Sequence, residues 1–474
     1  MAGLVTSLNS ARTSLEVSQK QIEIVGNNIA NVNTQGYSRQ SAQLTPYPSM
    51  NFGDFFIGQG VRVTDVKRDH DVFVTNQLIG KSADYGYQSG QAQPLSELER
   101  LFAVGDENIA TDVDKYFDAW QELSAYPSDL VLRDALIQRG QQLATDFNNT
   151  ANSLKAIQSN INDTLIAKVD GVNSMVNEIA ELNDRIFTIE VHGQTANTAR
   201  DRRDELAKQL AEVVGAQSYE DSKGMMAVQL PGGLPLVQGT DAMRLEAKTN
   251  GGDLNITLHA GGVERALGQK NMGGEFKGLS YIRDSFIPDL MSDLDRMSYE
   301  ISTQVNAQHA AGAGLDSVSG RDFFSVPPNA NAAPPANPWD GAARAMAVSI
   351  TDAAQIAAAE APASGASIAP GDNRNALIMS NIGENYLIDG IDNFNSFYGK
   401  MTSRIGLETN QNQLSLQGAE DAVTQLENLR DGLSGVSLDE EMIDLIVYQR
   451  SYQSSAKFLS TIDELMESLL SIKQ

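Results

Sequence analysis

The chain has 474 residues, no cysteine, and 61 acidic against 35 basic side chains, for a formal net charge of −26. Phosphate binding relies on clustered lysine and arginine, so nucleic acid and anionic membrane surfaces are disfavoured as partners. Without cysteine, disulfides and thiolate metal sites are excluded, and the length supports about two to four domains with sizeable cores.

The first thirty residues carry a narrow apolar stripe. Leu4, Leu8, Ala11, Leu15, Ser18, Ile22, Val25 and Ile29 step alternately by four and three. This is the seam of a helix that needs a partner helix. It has no unbroken apolar core, so no signal peptide is expected. The Asn- and Gly-rich run 27–40 closes that helix near Ala30 to Asn33. Val61, Val63 and Val66 alternate in an extended segment reaching about Val74. Helical spacing then runs to about Glu190, with Ser128 or Asp129 as a cap after Pro127. The stripe from Leu143 through Phe147, Leu154, Ile161, Val172 and Ile179 to Ile189 predicts one helix of roughly 60 residues, about 90 Å long. That is too long for a compact globule and implies a rod.

Residues 215–280 hold 13 of the 39 glycines, with short alternating runs between turns, and read as a small β domain. Helical spacing returns from Phe286 to His309. Residues 327–370 contain half of the prolines and much alanine, which suggests an irregular excursion. Helical pattern resumes over about 375–430. A second stripe follows, with Leu438, Met442, Leu445, Gln449, Tyr452, Ala456 and Leu459 as its seam, continued by Phe458, Ile462, Leu465, Leu469 and Ile472. No apolar run approaches the ~20 residues of a membrane span.

Chemistry-bearing patterns are scarce. His70, His192, His259 and His309 are scattered without metal-ligand spacing. Gly80-Lys81-Ser82 mimics the end of a phosphate loop, but position 75 is Thr where Gly is required. Asp439-Glu440-Glu441 and Asp463-Glu464 read as solvated helix faces, the first favouring the helix N-terminus. No catalytic, cofactor-binding or metal-binding residues are predicted, and no cofactor is expected.

The segment Ala30-Asn31-Val32-Asn33-Thr34-Gln35-Gly36-Tyr37-Ser38-Arg39-Gln40 resembles the signature of the bacterial flagellar rod, hook and hook-associated axial proteins, which often have Pro in place of Gln35. Val436-Ser437-Leu438-Asp439-Glu440-Glu441-Met442, followed by Tyr448 to Ala456, resembles the closing signature of the same family. Internal segments, among them Tyr126–Leu130, Asp201–Leu206, Tyr281–Asp284 and Val305–His309, are similar to its hook–filament junction members. The resemblance implies an extracellular structural role at the hook–filament junction, with export by the flagellar type III apparatus. The implied partners are sister copies, the hook protein, a second junction protein (hook-associated protein 3) and a cytoplasmic export chaperone on the C-terminal helix.

The expected fold is mainly α: an elongated multidomain rod of long coiled-coil-like helices, with paired termini and an inserted small β domain. Residues 1–80 with 431–474 form a terminal helical layer lining an inner tube. Residues 81–205 with 281–430 form the rod, 206–280 the outer β-rich insert, and 327–370 an irregular segment in the returning half. The assembly interface is expected at Leu4, Leu8, Leu15, Ile22, Val25, Ile29, Asn31, Asn33, Thr34, Gly36, Tyr37 and Arg39. Its C-terminal half is expected at Leu438, Met442, Leu445, Tyr452, Phe458, Leu459, Ile462, Leu465 and Leu469. Val5, Val17, Ile24 and Ile446 are further expected contacts to neighbouring subunits, and both ends are expected to be disordered until incorporated. Other axial flagellar proteins share the terminal patterns. A secreted coiled-coil adhesin or scaffold, or an enzyme carried in the β insert, are the competing classes.

Overall fold

A computed structural model describes residues 2–52, 55–102, 108–221, 223–250, 253–331, 337–361 and 369–472. In chain order these form α1 (Ala2–Ala30), β1 (Gln40–Pro46), β2 (Met50–Phe52), β3 (Phe55–Ile57), β4 (Val61–Arg68), α2 (Val72–Leu101), α3 (Ile109–Ala125), α4 (Leu130–Val191) and α5 (Asn197–Val214). Strands β5 (Gln217–Glu220), β6 (Met226–Leu230), β7 (Leu234–Gln238), β8 (Asp241–Ala242), β9 (Arg244–Asn250), β10 (Asp253–Ala260) and β11 (Val263–Ala266) follow. The remainder is α6 (Gly274–Tyr281), α7 (Ile287–Ala311), β12 (Gly312–Ala313), α8 (Ala342–Ala345), β13 (Ala359–Glu360), α9 (Arg374–Asn381), α10 (Phe394–Ser434) and α11 (Leu438–Ile472). The fold is mainly helical with a small β insertion.

The predicted long helix is α4, of 62 residues. Asp129 caps it by accepting from the Val131 backbone N–H at 2.8 Å. The expected continuous helical stretch 375–430 is instead broken between α9 and α10. Asp389 and Gly390 both take positive φ, 54° and 69°, and two left-handed residues in succession cannot continue a right-handed helix.

The chain divides into two compact units. The first comprises residues 1–87, 168–276 and 417–474. In it β1 and β4 pair antiparallel, β5–β8 make a four-stranded antiparallel sheet, and β9–β11 make a three-stranded one. Helix α5 buries Leu206, Leu210 and Val214. Gly215 ends it at φ 68°, and a Cβ there would fall 2.4 Å from Gly273 Cα, so only glycine fits. The sheets are stitched to α4 by asparagines. Asn183 accepts from the Met226 N–H at 3.0 Å and donates to its carbonyl at 2.8 Å. Asn173 does the same for Leu245, at 2.8 and 2.9 Å. A side-chain amide here supplies the hydrogen bonds of a missing neighbouring strand.

The second unit comprises residues 88–167 and 277–416. Its centre is aromatic: Tyr116, Trp120, Phe323 and Phe324 are fully buried. Phe323 lies edge-on to Phe324 at 4.9 Å and to His309 at 5.7 Å between ring centroids. Asn306 of α7 clasps Phe324 as Asn183 clasps Met226, at 2.8 and 2.9 Å. Among the described residues of 327–370 the chain is irregular but well packed, and Ala343 and Ala358 have no exposed surface. Alanine lets that backbone approach the helices closely. Buried Arg133 ties it down by donating to the carbonyls of Ala353 and Ile356 at 3.2 and 2.7 Å.

Candidate assembly interface

The terminal helices α1 and α11 run antiparallel, side by side. Ser14 and Ser455 share a hydrogen bond of 2.8 Å, Ser18 donates to Ser451 at 3.2 Å, and Asn28 Nδ2 donates to Glu441 Oε2 at 3.0 Å. Both ends are helical and paired here, which corrects the expectation of disordered termini. The reason is local: each helix gives the other an apolar and polar partner within the same chain.

On α1 the stripe read from the sequence faces inward. Ala11, Ser18 and Val25 are buried, and Leu4, Leu8, Leu15, Ile22 and Ile29 are half-buried. Val17, expected to await a neighbouring subunit, is buried within the chain. On α11 the inward face is rotated from the expected one. Glu441 and Ile462 are buried, and Leu445, Tyr448, Ser455, Ala456 and Leu459 are half-buried. Leu438, Met442, Tyr452, Phe458 and Leu465 stand exposed, with Ile443, Ile446, Val447 and Leu470 beside them. Leu469 and Ile472 fall outside the described side chains.

Glu441 accounts for the rotation. Expected on a solvated face, it has no exposed side-chain surface. Arg39 Nε donates to its Oε1 at 2.6 Å and Arg39 Nη2 donates to Asp444 Oδ2 at 3.2 Å, while Asn28 takes the other oxygen. A buried carboxylate needs such partners, and satisfying them turns this side of α11 toward α1. The hydrogen bond that it donates to Glu441 holds the Arg39 guanidinium above its ordinary pKa.

The signature loop is organised by the same atoms. Asn28 accepts from the Gln40 N–H at 3.0 Å and donates to the Gln40 carbonyl at 2.9 Å, the clasp seen at Asn183. The Tyr37 hydroxyl meets Asn27 and Asn28 amide oxygens at 2.9 and 2.8 Å. Burial, reinforced by Asp201 and Glu441, pushes it up to about 12. Arg39 N–H donates to the Ser434 carbonyl at 2.8 Å. Asn31 donates to the Asn27 carbonyl at 2.9 Å, and Thr34 donates to Asn31. Gly36 turns the chain at φ 78°, where an added Cβ would come within 3.4 Å of Glu205, whereas Asn33 and Thr34 are exposed. Beyond the loop, Ser38 donates to Asp201 at 2.8 Å, and Arg68 bridges Asp201 and Asp204 at 2.7 Å each. Next to them, burial and Arg68 lower the pKa of His70. Sequence reasoning passed over Asn28, Asp201 and Glu441. The available signal was an arginine in the first signature and an acidic residue in the last, each costly to bury alone.

Three family models match the chain in order. The Flagella basal body rod protein family covers 8–37 and the Flagellar hook-associated protein FlgK helical domain covers 95–324. The Flagellar basal body rod FlgEFG protein C-terminal family covers 433–472. Flagellar hook-associated protein 1 of Escherichia coli strain K12 is 26% identical, with 98% of this chain and 99% of that protein aligned. The protein of the same name from Bacillus subtilis strain 168 is also 26% identical, over 99% and 98%. Along nearly its whole length the chain is similar to the flagellar hook-associated protein 1 family. Two of the matched segments are the two halves of the helix pair described above. Members of the hook-associated protein 1 family are extracellular structural components of the flagellum. The flagellar hook junction protein FlgK from Burkholderia pseudomallei shares the fold, with a TM-score of 0.68 at 17% identity over 76% of this chain and all of that one. Among the described residues no helix is long and apolar enough to cross a membrane.

Proposed function

We propose that copies of this chain assemble into the junction between hook and filament through the layer formed by α1 and α11, and that the role is structural, not catalytic. The observation that supports this best is the exposed apolar set on α11: Leu438, Met442, Ile443, Ile446, Val447, Phe458, Leu465 and Leu470. A row of exposed large apolar side chains along one helix marks an interaction face. Each Leu or Ile covered by a neighbour contributes about 1.5–3 kcal/mol. One patch meeting a different patch on the next copy propagates as a helical array.

In this reading, residues 1–80 with 431–474 line the inner tube. Residues 81–205 with 281–430 form the rod domain, and 206–280 takes least part in assembly. Asn33 and Thr34 are free to meet a neighbour, while Tyr37 and Arg39 act within their own subunit. The hook protein lies on one side of the junction and the second junction protein, hook-associated protein 3, on the other. Before export by the flagellar type III apparatus, a cytoplasmic chaperone covers the exposed stripe of α11. The test is a strain producing the chain without residues 438–474. Hooks without filaments, and filament subunits lost to the medium, are expected. Normal filaments on the truncated protein would overturn the reading.

A further inference from the structure

The seam between α1 and α11 is lined at its middle by small polar residues, Ser14 and Ser18 against Ser455 and Ser451. Such residues pack in more than one register. Ser14 and Asn28 are separated by two heptads, as are Glu441 and Ser455, so a single register relates every hydrogen-bonded pair along the helices. Sliding α11 by one heptad would bring Ile462 opposite Ser14 and Phe458 opposite Ser18. That slide would place Phe458, now 50% exposed, at the exposed site of Ser451, and it presents nearly the same face of α11 to α1 because side chains repeat every heptad. Ile462 would keep an inward place at the site of half-buried Ser455, while half-buried Leu459 would move to the exposed site of Tyr452, so apolar burial is no strong reason to prefer the observed register.

Glu441 supplies the reason. The slide would carry it past Asn28 to a position beyond the end of α1 and would pull it from Arg39, leaving Arg39 and Asn28 without their shared acceptor. Arg39 is fixed apart from α11: its carbonyl accepts from the Asp69 N–H at 2.8 Å, and the N–H of the next residue, Gln40, donates to Asn28 at 3.0 Å. The guanidinium therefore cannot follow a sliding helix. We infer that the buried Asn28–Arg39–Glu441 cluster is a register lock, selecting one alignment of the terminal helices and thereby which α11 side chains face outward. A polar group buried at one seam position commonly sets register in this way. These three are positioning residues, and the inference concerns the pair itself, resting on the junction reading only for the use to which the outward face is put.

The absence of cysteine in the natural chain makes the test clean. Two reporters are built in the full-length protein: Ser14→Cys with Ser455→Cys for the observed register, and Ser14→Cys with Ile462→Cys for the slipped one. Under mild oxidation the first should cross-link almost fully and the second at least tenfold less. Adding Glu441→Leu should raise the slipped product at least fivefold and lower the native one. Arg39→Met should do the same from the other side of the lock, while Glu441→Gln, which still accepts from Asn28, should shift the ratio less. An unchanged ratio in Glu441→Leu and Arg39→Met overturns the inference. So does loss of both products, which would make the cluster a general tether. Because cross-linking is read on the isolated chain, a failed junction with an intact register counts against the proposed function alone.

Discussion

Helices α7 and α11 have nearly the same apolar spacing, yet they end in opposite conditions. Along α7, Ile287, Leu290, Leu294, Met297, Ile301 and Val305 have no exposed surface at all. Among the described side chains of α11 only Ile462 is a buried hydrophobic, and nine large apolar ones remain open. Periodicity identifies a face that needs covering; it does not say whether the cover comes from the same chain. In α7 the cover is internal and the helix is part of a finished core. In α11 one side is met by α1 and the other is exposed.

The contrast can be broken at four points. Leu294→Ala, in α7, is expected to cost about 2–5 kcal/mol, read as a lowered midpoint in denaturant unfolding; a loss below 1 kcal/mol would mean that core is poorly packed. Acid probes the same helix through His309, whose Nε2 accepts from the Ala357 N–H at 3.0 Å and whose Nδ1 lies 2.7 Å from the Arg321 carbonyl. Burial lowers its pKa from 6.5 to about 4, so the unfolded chain takes up the proton first. The stabilisation is complete above about pH 6.5 and is lost as pH falls toward 4, by up to about 3 kcal/mol. His309→Gln should flatten that part of the pH profile, and an unchanged slope would rule the histidine out as its source.

Ile462→Ala, on the covered side of α11, should cost on the order of 2 kcal/mol and loosen the helix pair, seen as faster amide exchange in α1. Equal exchange in both proteins would show that the pair does not depend on that contact. Smallest in stability is Ile446→Asp with Val447→Asp, on the open side. Within about 0.5 kcal/mol the isolated chain should be unaffected, yet incorporation into the flagellum should fail. A large drop in melting temperature would place that face in an internal interface and erase the contrast.

How much of this was visible in the residues differs from place to place. The long helix α4 and the inward stripe of α1 follow directly from apolar spacing, because both helices bury one continuous face. The rotation of α11 does not. It depends on a charged residue, Glu441, accepting burial because Asn28 and Arg39 from a distant part of the chain surround it. The break before α10 lay in Asp389 and Gly390, a turn pair hidden inside otherwise helical spacing. The alanine- and proline-rich stretch reads as loose, since small side chains suggest little core. The chain there is nonetheless well buried, and smallness is what allows the close approach. Of the interface, the sequence made the apolar stripes legible and left the polar lock unseen, because hydrogen-bonding partners far apart in the chain leave no periodic trace.

The four asparagine clasps, at Asn28, Asn173, Asn183 and Asn306, carry a consequence for tolerance to change. Each fastens an extended stretch to a helix at a single residue, like a rivet, with no ladder of successive pairings to keep in step. Segments between rivets can therefore lengthen or shorten without displacing the riveted residue. The rivet itself admits almost no replacement: aspartate, though nearly the same shape, would turn a donating amide nitrogen into a second acceptor against a carbonyl oxygen.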